Sequence, residues 1–255
     1  MATSNLLKDT GILIRTYHKD AERLFLCLKS IQCFAHVMKV TVVCPSSSKE
    51  VIEKTCLQFD WVELKTCANY QNDFIGQQIT KLLADMFVDS NFILHIDSDC
   101  IFTQQVDEAD LFFDKKPILY FRPYSFFYEQ GINMPWQTIT SKFLKRQTDY
   151  EFMRRFPLVY DRTAYSSLRS YYNEQFNDDI EEVLSKVSGD YFSEFNLLGS
   201  FVYYFRPDLA HFIDTNQGPV RPAVVRQGCL YQSRDDRSLS TEERELLEKI
   251  LQSEV

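Results

Sequence analysis

NFILHIDSDCIF, residues Asn91 to Phe102, is the stretch on which the fold turns. Phe92, Ile93, Leu94 and Ile96 make a short apolar run that reads as a buried strand, and the run stops at Asp97 and Asp99 with Ser98 between them. In an extended chain, residues two apart project to the same side, so both carboxylates reach one point at the carboxyl end of the strand. Open α/β sheets bind their ligands at that end. Two carboxylates crowded in a partly dry site repel each other unless one takes a proton or a cation lies between them. A hard divalent ion, Mg²⁺ or Mn²⁺, held by the pair and by phosphate oxygens resolves the conflict. In a polar loop, the same two side chains would only cap backbone amides.

Working outward, strands alternate with helices on the amino-terminal side. Gly11 to Thr16 reads as a first strand, followed by Leu24, Cys27, Leu28 and Ile31 at helical spacing. Val37 to Cys44 is a β-branched strand, and Pro45 with three serines opens a helix through Phe59. Trp61 to Leu64 makes a short third strand, and Ile75, Ile79, Leu82, Leu83 and Met86 share one face of a helix over 73–88. This alternation predicts an α/β fold, a mostly parallel, Rossmann-like central sheet flanked by helices, with the acid pair after about the fourth strand.

Beyond the acids the alternation degrades. Pro117 to Phe121 reads as a strand and Arg122 to Trp136, rich in aromatics, as an ordered loop. Helices are expected over 137–147, 162–175 and 178–187, and a last strand over 222–225. Ser193 to Phe205 joins a polar start to a strongly apolar finish. Ser240 and Glu243 form a capping box before a C-terminal helix with Leu246, Leu247, Ile250 and Leu251 on one face. No repeat or low-complexity linker divides the chain, so a single domain is expected: about 10–115 for one half, 116–239 for the other and 240–252 for the final helix.

With 45% apolar residues, the 255-residue chain can bury a substantial core, and its net charge of -8 argues against a nucleic-acid binder with a broad basic surface. An anionic ligand must be held by local positive charge. The amino terminus lacks a signal pattern and no run approaches the ~18 apolar residues of a membrane span, which predicts a soluble, intracellular protein. Seven cysteines without Cys-x-x-Cys or zinc spacing read as reduced, mostly buried thiols.

The order of these features resembles the GT-A class of nucleotide-sugar-dependent glycosyltransferases, in which an Asp-x-Asp ends a strand in the middle of one α/β domain. It is also similar to a small group from bacteria and large algal viruses, in which a Gln-x-x-Lys-Leu helix precedes that strand and a Ser-Glu-aromatic segment follows. Here those positions are Gln78, Lys81 and Leu82; Asp97 and Asp99; and Ser193, Glu194 and Phe195. The resemblance spans residues 10–215 and implies a metal-dependent transfer of a hexose or pentose from a nucleoside diphosphate donor, with UDP preferred, to a hydroxyl of a glycan or related acceptor.

On that reading, Mg²⁺ or Mn²⁺ at Asp97 and Asp99 acts as a Lewis acid toward the leaving diphosphate. Arg15, Thr16 and Tyr17, where the first strand ends, together with Ser98, are candidates for the nucleotide. Asp20 is a candidate for a ribose hydroxyl or the base, or else the cap of the next helix. Gln78 and Lys81 are candidates for the donor, with a solvated lysine on a polar helix face as the other reading of Lys81. An inverting transfer needs a carboxylate to take the acceptor's proton; Glu194 is the first candidate and Asp190 the second, with helix capping the alternative for either. His211 is a candidate third metal ligand or a structural histidine.

Three other functions fit less well. Phosphatases of the haloacid dehalogenase type place Asp-x-Asp near the start of their core domain, whereas about ninety residues of α/β pattern precede it here. Sugar nucleotidyltransferases carry a Gly-rich loop after the first strand, and IRTYHKDAER holds no glycine. A non-catalytic nucleotide or glycan binder would share the fold without turnover.

Overall fold

The computed structural model describes residues 6–185, 192–217, 220–227 and 241–252. The apolar run at the start forms β1 (Thr10–Arg15), buried along its whole length. Helix α1 (Ala21–Phe34) turns Leu24, Cys27, Leu28 and Ile31 onto the sheet. The alternation continues through β2 (Lys39–Pro45), α2 (Lys49–Cys56), β3 (Val62–Cys67), α3 (Asp73–Leu82), α4 (Ala84–Phe87) and β4 (Phe92–Asp97). The helix expected over 73–88 is thus broken at Leu83, whose φ of -104° and ψ of 19° leave the helical region. β1 pairs in parallel with β2 on one side and β4 on the other, and β3 extends the sheet beyond β2.

After the acid pair come β5 (Cys100–Phe102), α5 (Glu108–Leu111), β6 (Phe112–Phe113), β7 (Lys116–Pro123), α6 (Tyr124–Tyr128), α7 (Trp136–Phe143) and β8 (Tyr150–Glu151). The chain then forms β9 (Leu158–Asp161), α8 (Thr163–Phe176), α9 (Ile180–Ser185), α10 (Glu194–Phe205), β10 (His211–Asp214), β11 (Val225–Gln227) and α11 (Thr241–Gln252). β9 returns to the main sheet antiparallel to β4, giving the order β3-β2-β1-β4-β9. β7 and β10 pair in parallel in a second, smaller sheet. β11 lies antiparallel to β5 and sets Gln227 opposite Cys100.

The main sheet is covered on both faces. Ile12, Ile14, Val40, Val42, Leu94 and Ile96 pack with α1 and α2, whereas Leu13, Val43 and Ile93 pack with α3, α8 and α10. Burial on both faces is why the strands read as unbroken apolar runs. Each such side chain contributes on the order of 1.5–3 kcal/mol relative to exposure.

The mostly parallel, helix-flanked sheet is therefore as the sequence predicts, while the second half corrects several expectations. The loop expected over 122–136 contains α6, the strand expected over 222–225 is displaced to β11, and β5, β9 and β10 carry too few residues for a periodicity signal. The segment that joins a polar start to an apolar finish forms the helix α10, with Ser193 as its N-cap. The capping box assigned to Ser240 lies outside the described residues. No helix among the described residues is long and apolar enough to cross a membrane. The six described cysteines are free thiols, and burial pushes Cys44 up to about 11 and Cys56 up to about 12.

Candidate active site

β4 lies beside the central strand β1, and its last residue, Asp97, is in register with Arg15 at the end of β1. Asp97 and Asp99 converge there: the Gln227 side-chain amide donates to Asp97 Oδ2 at 3.4 Å and to Asp99 Oδ1 at 3.2 Å. A single NH₂ group reaches both acids. Burial and the neighbouring Asp97 charge raise the pKa of Asp99, so the repulsion inferred from the spacing is present in the folded chain.

A cleft of about 530 Å³ lies over the pair, and Arg15, Thr16, Tyr17, Asp20, Asp73, Gln77, Ser98 and Gln227 help to line it. Five sequence candidates outside the acid pair itself are thus brought together: Arg15, Thr16, Tyr17, Asp20 and Ser98. Arg15 is buried at the end of β1, where its guanidinium makes a two-pronged ion pair with Asp73 at the start of α3, one arm at 3.1 Å. Asp20 pairs with Arg23 at 3.1 Å. A second hollow of about 270 Å³ shares Tyr17 and Asp73 with the cleft and extends to Ser47, Ser48, Asn69 and Tyr70.

Helix α3 runs along the cleft, and its polar face is read off the sequence at i, i+4 and i+8. Asp73 meets Arg15, Gln77 lines the cleft, and Lys81 meets the acids. Lys81 is not the solvated lysine that a polar helix face implies. It is 4% exposed, and its ammonium lies 2.7 Å from Asp97 Oδ1, 3.0 Å from Glu194 Oε1 and 5.0 Å from the centre of the Phe195 ring. Burial opposes its charge, but the Asp97 and Glu194 carboxylates outweigh burial and raise its pKa. Glu194 is 6% exposed, at the first position of α10, and Ser193 caps that helix by accepting from Asn196 N at 3.3 Å. Capping therefore falls to Ser193, and Glu194 is directed at Lys81.

Other candidates lie elsewhere. Gln78 is buried, and its amide oxygen has no hydrogen-bond partner among the described residues; its neighbour Gln77 is the glutamine on the cleft. His211 sits on β10 with its ring 4.3 Å from that of Phe113, away from the residues lining the cleft. Asp190 lies outside the described residues. No group of three or more histidine, cysteine, aspartate and glutamate side chains capable of holding a metal occurs among the described residues. Sequence reading missed Asp73, Gln77 and Gln227. The first two were accessible by stepping back from Lys81 in fours, whereas Gln227 reaches the acids only through the pairing of β11 with β5.

The family described as "Family of unknown function (DUF6492)" matches residues 10–210. No curated protein matches the chain. Among solved structures, a galactosyltransferase, LgtC, in complex with donor and acceptor sugar analogues superposes with a TM-score of 0.54 at 13% identity, over 96% of this chain and 97% of that one. The apo form of the glycosyltransferase GlyE of Streptococcus pneumoniae gives 0.52 at 12% identity, over 96% of this chain and 60% of that longer one. At these identities the likeness shows the fold, a mixed α/β architecture resembling GT-A glycosyltransferases.

Proposed function

The chain belongs to DUF6492, a family of unknown function, and we propose that it is a glycosyltransferase moving a sugar from a nucleoside diphosphate donor to a hydroxyl of a glycan or related acceptor. The observation that carries this reading is the convergence of Asp97 and Asp99 on one point beneath a cleft that also presents Arg15. The GT-A-like fold supports it, since the two neighbours named above are glycosyltransferases.

A divalent cation suits this donor set. The converging groups are hard oxygens, and burial together with the neighbouring Asp97 charge raises the pKa of Asp99, a conflict that a cation relieves. Asp97 and Asp99 would hold it, with Gln227 beside them. When bound, such an ion supplies Lewis-acid stabilisation of the charge that grows on the leaving diphosphate. The rest is done by the chain itself. Arg15, fixed by Asp73, presents guanidinium donors on the wall of the cleft, and the hollow by Tyr17 and Asn69 gives a base room next to the phosphates. Uridine is the base favoured by the resemblance of the motifs.

In the transfer, the bond from anomeric carbon to phosphate oxygen breaks, the acceptor oxygen bonds to that carbon, and the acceptor's proton passes to a base. Glu194 is our base for an inverting course: Lys81 holds Oε1, which leaves Oε2 as the oxygen that takes the proton. The test is incubation with Mn²⁺, a panel of nucleotide-sugars and simple sugar acceptors, followed by product analysis. A nucleoside diphosphate with a glycosylated acceptor is the expected outcome. Release of inorganic phosphate or pyrophosphate, or no turnover with any donor, would contradict the proposal.

A further inference from the structure

Lys81 is the buried charge to which the proposed chemistry gives no contact with the donor. An ammonium at the floor of a phosphate-binding cleft is ordinarily read as a phosphate ligand, but this one is 4% exposed and does not line the cleft. Two of its donors are spent on Asp97 Oδ1 at 2.7 Å and Glu194 Oε1 at 3.0 Å, and its remaining side is covered by the Phe195 ring at 5.0 Å. Each carboxylate gives Lys81 one oxygen. Asp97 keeps Oδ2, the oxygen that shares Gln227 with Asp99, and Glu194 keeps Oε2.

From this geometry we infer that Lys81 is a positioning residue: it fixes Asp97 so that Oδ2 points at the cation position, and it ties Glu194 of α10 to the same point without touching the donor. The inference rests on the reading of Asp97 and Asp99 as a cation site. It differs from a phosphate-ligand role in what it predicts. A group orienting a metal ligand affects only the metal-dependent part of nucleotide binding, whereas a phosphate ligand contributes whether or not metal is present. The charges also sit where helix ends favour them, Lys81 in the last turn of α3 and Glu194 in the first of α10.

The test is calorimetry of UDP with the full chain, in Mn²⁺ and in EDTA, for the wild type, Lys81→Met, Lys81→Arg and the double variant Lys81→Met/Glu194→Gln. The double variant removes the glutamate charge that Lys81→Met strands in the interior, so it supplies a folded protein if the single variant does not fold. Wild type should bind UDP more tightly in Mn²⁺. Lys81→Met, alone or in the double variant, should forfeit about 10- to 100-fold of that Mn²⁺-dependent gain, the usual cost of losing a partner that orients a metal ligand, and keep wild-type affinity in EDTA. Lys81→Arg should recover part of the gain, because a guanidinium can donate to both carboxylates. An undiminished Mn²⁺ gain in a folded Lys81→Met protein would overturn the inference and leave the cation reading standing. An equal loss in EDTA and in Mn²⁺ would overturn it in favour of direct phosphate contact. No Mn²⁺ gain in the wild type would overturn the cation reading and the inference together.

Discussion

α3 and α10 deliver opposite charges to the same point from opposite ends, and only one of them is legible as a helix from its sequence. α3 is amphipathic: Ile75, Ile79 and Leu82 face the core, while along the polar stripe Asp73 and Gln77 face the cleft and Lys81 meets Asp97 and Glu194. α10 is buried from Glu194 through Val202 on every side, and a helix apolar all round carries no 3.6-residue signal. The difference teaches that a period reveals a helix at a boundary, whereas a helix inside the protein is revealed only by its partners. It also bears on the second reading of Lys81, a solvated lysine, which burial against α10 excludes. A polar stripe on a helix implies water on sequence grounds, but here it implies α10.

The sharpest way to break the comparison is to silence the charge at the head of α10. Glu194→Gln keeps the size and one hydrogen bond to Lys81 but cannot take a proton, so kcat should fall about 10²- to 10⁴-fold while UDP affinity in Mn²⁺ survives. A near-normal kcat at saturating donor would limit Glu194 to holding Lys81.

A second test uses the contact between the two regions below the acids. His95 on β4 packs its ring 5.2 Å from that of Phe195 on α10 and shares a 2.6 Å hydrogen bond with Tyr165. Burial first, then the Lys81 charge, lowers its pKa to about 3. The unfolded chain therefore takes up a proton at His95 before the folded chain does. The stability contributed by the neutral ring is complete above the ordinary histidine pKa of about 6.5 and is lost as pH falls toward 3, by up to about 1.4 kcal/mol per pH unit. Denaturant titrations of His95→Gln across that window should show a shallower acid slope than the wild type; identical slopes would place the acid sensitivity elsewhere.

Packing around the two helices should differ as well. A Cβ on Gly199 of α10 would come within 2.5 Å of the Phe152 ring, which is buried, and a Cβ on Gly76 of α3 would come equally close to the half-buried Tyr70 ring. Gly199→Ala should cost about 1–3 kcal/mol, and Gly76→Ala less, because Tyr70 is only half-buried, although its hydroxyl is tied to Glu181 at 2.6 Å. Equal losses in thermal or denaturant unfolding would contradict the contrast in confinement. The smallest effects are at the caps: Ser193→Ala and Asn72→Ala should each cost about 1 kcal/mol, since each side chain accepts one backbone N–H of its helix.

Of the four parallel strands, β1, β2 and β4 were legible because each is a run of apolar residues long enough to read and buried on both faces, whereas β3, at the sheet edge and without a fully buried residue, was legible only over its first residues. What failed to read was non-local. β9 is four residues long and owes its place to β4, and β11 is three residues long and owes its place to β5, across more than a hundred residues of chain. No spacing rule links Gln227 to Asp97 and Asp99, although its amide reaches both. The acid pair itself was found because two adjacent facts coincide in one short stretch, a buried strand and a carboxylate at every second position. Arg15, Thr16 and Tyr17 followed from the rule for strand ends, while Asp73, the partner of Arg15, is fixed by where α3 begins.

The central claim is that Asp97 and Asp99 form a cation site for a nucleoside diphosphate. Its most direct test is UDP titration by calorimetry, with Mn²⁺ and with EDTA, in the wild type and in Asp99→Ala. The account predicts a clear Mn²⁺-dependent gain in affinity in the wild type that Asp99→Ala abolishes, with little change in EDTA. Equal wild-type affinity in Mn²⁺ and in EDTA, or an undiminished gain in Asp99→Ala, would contradict it.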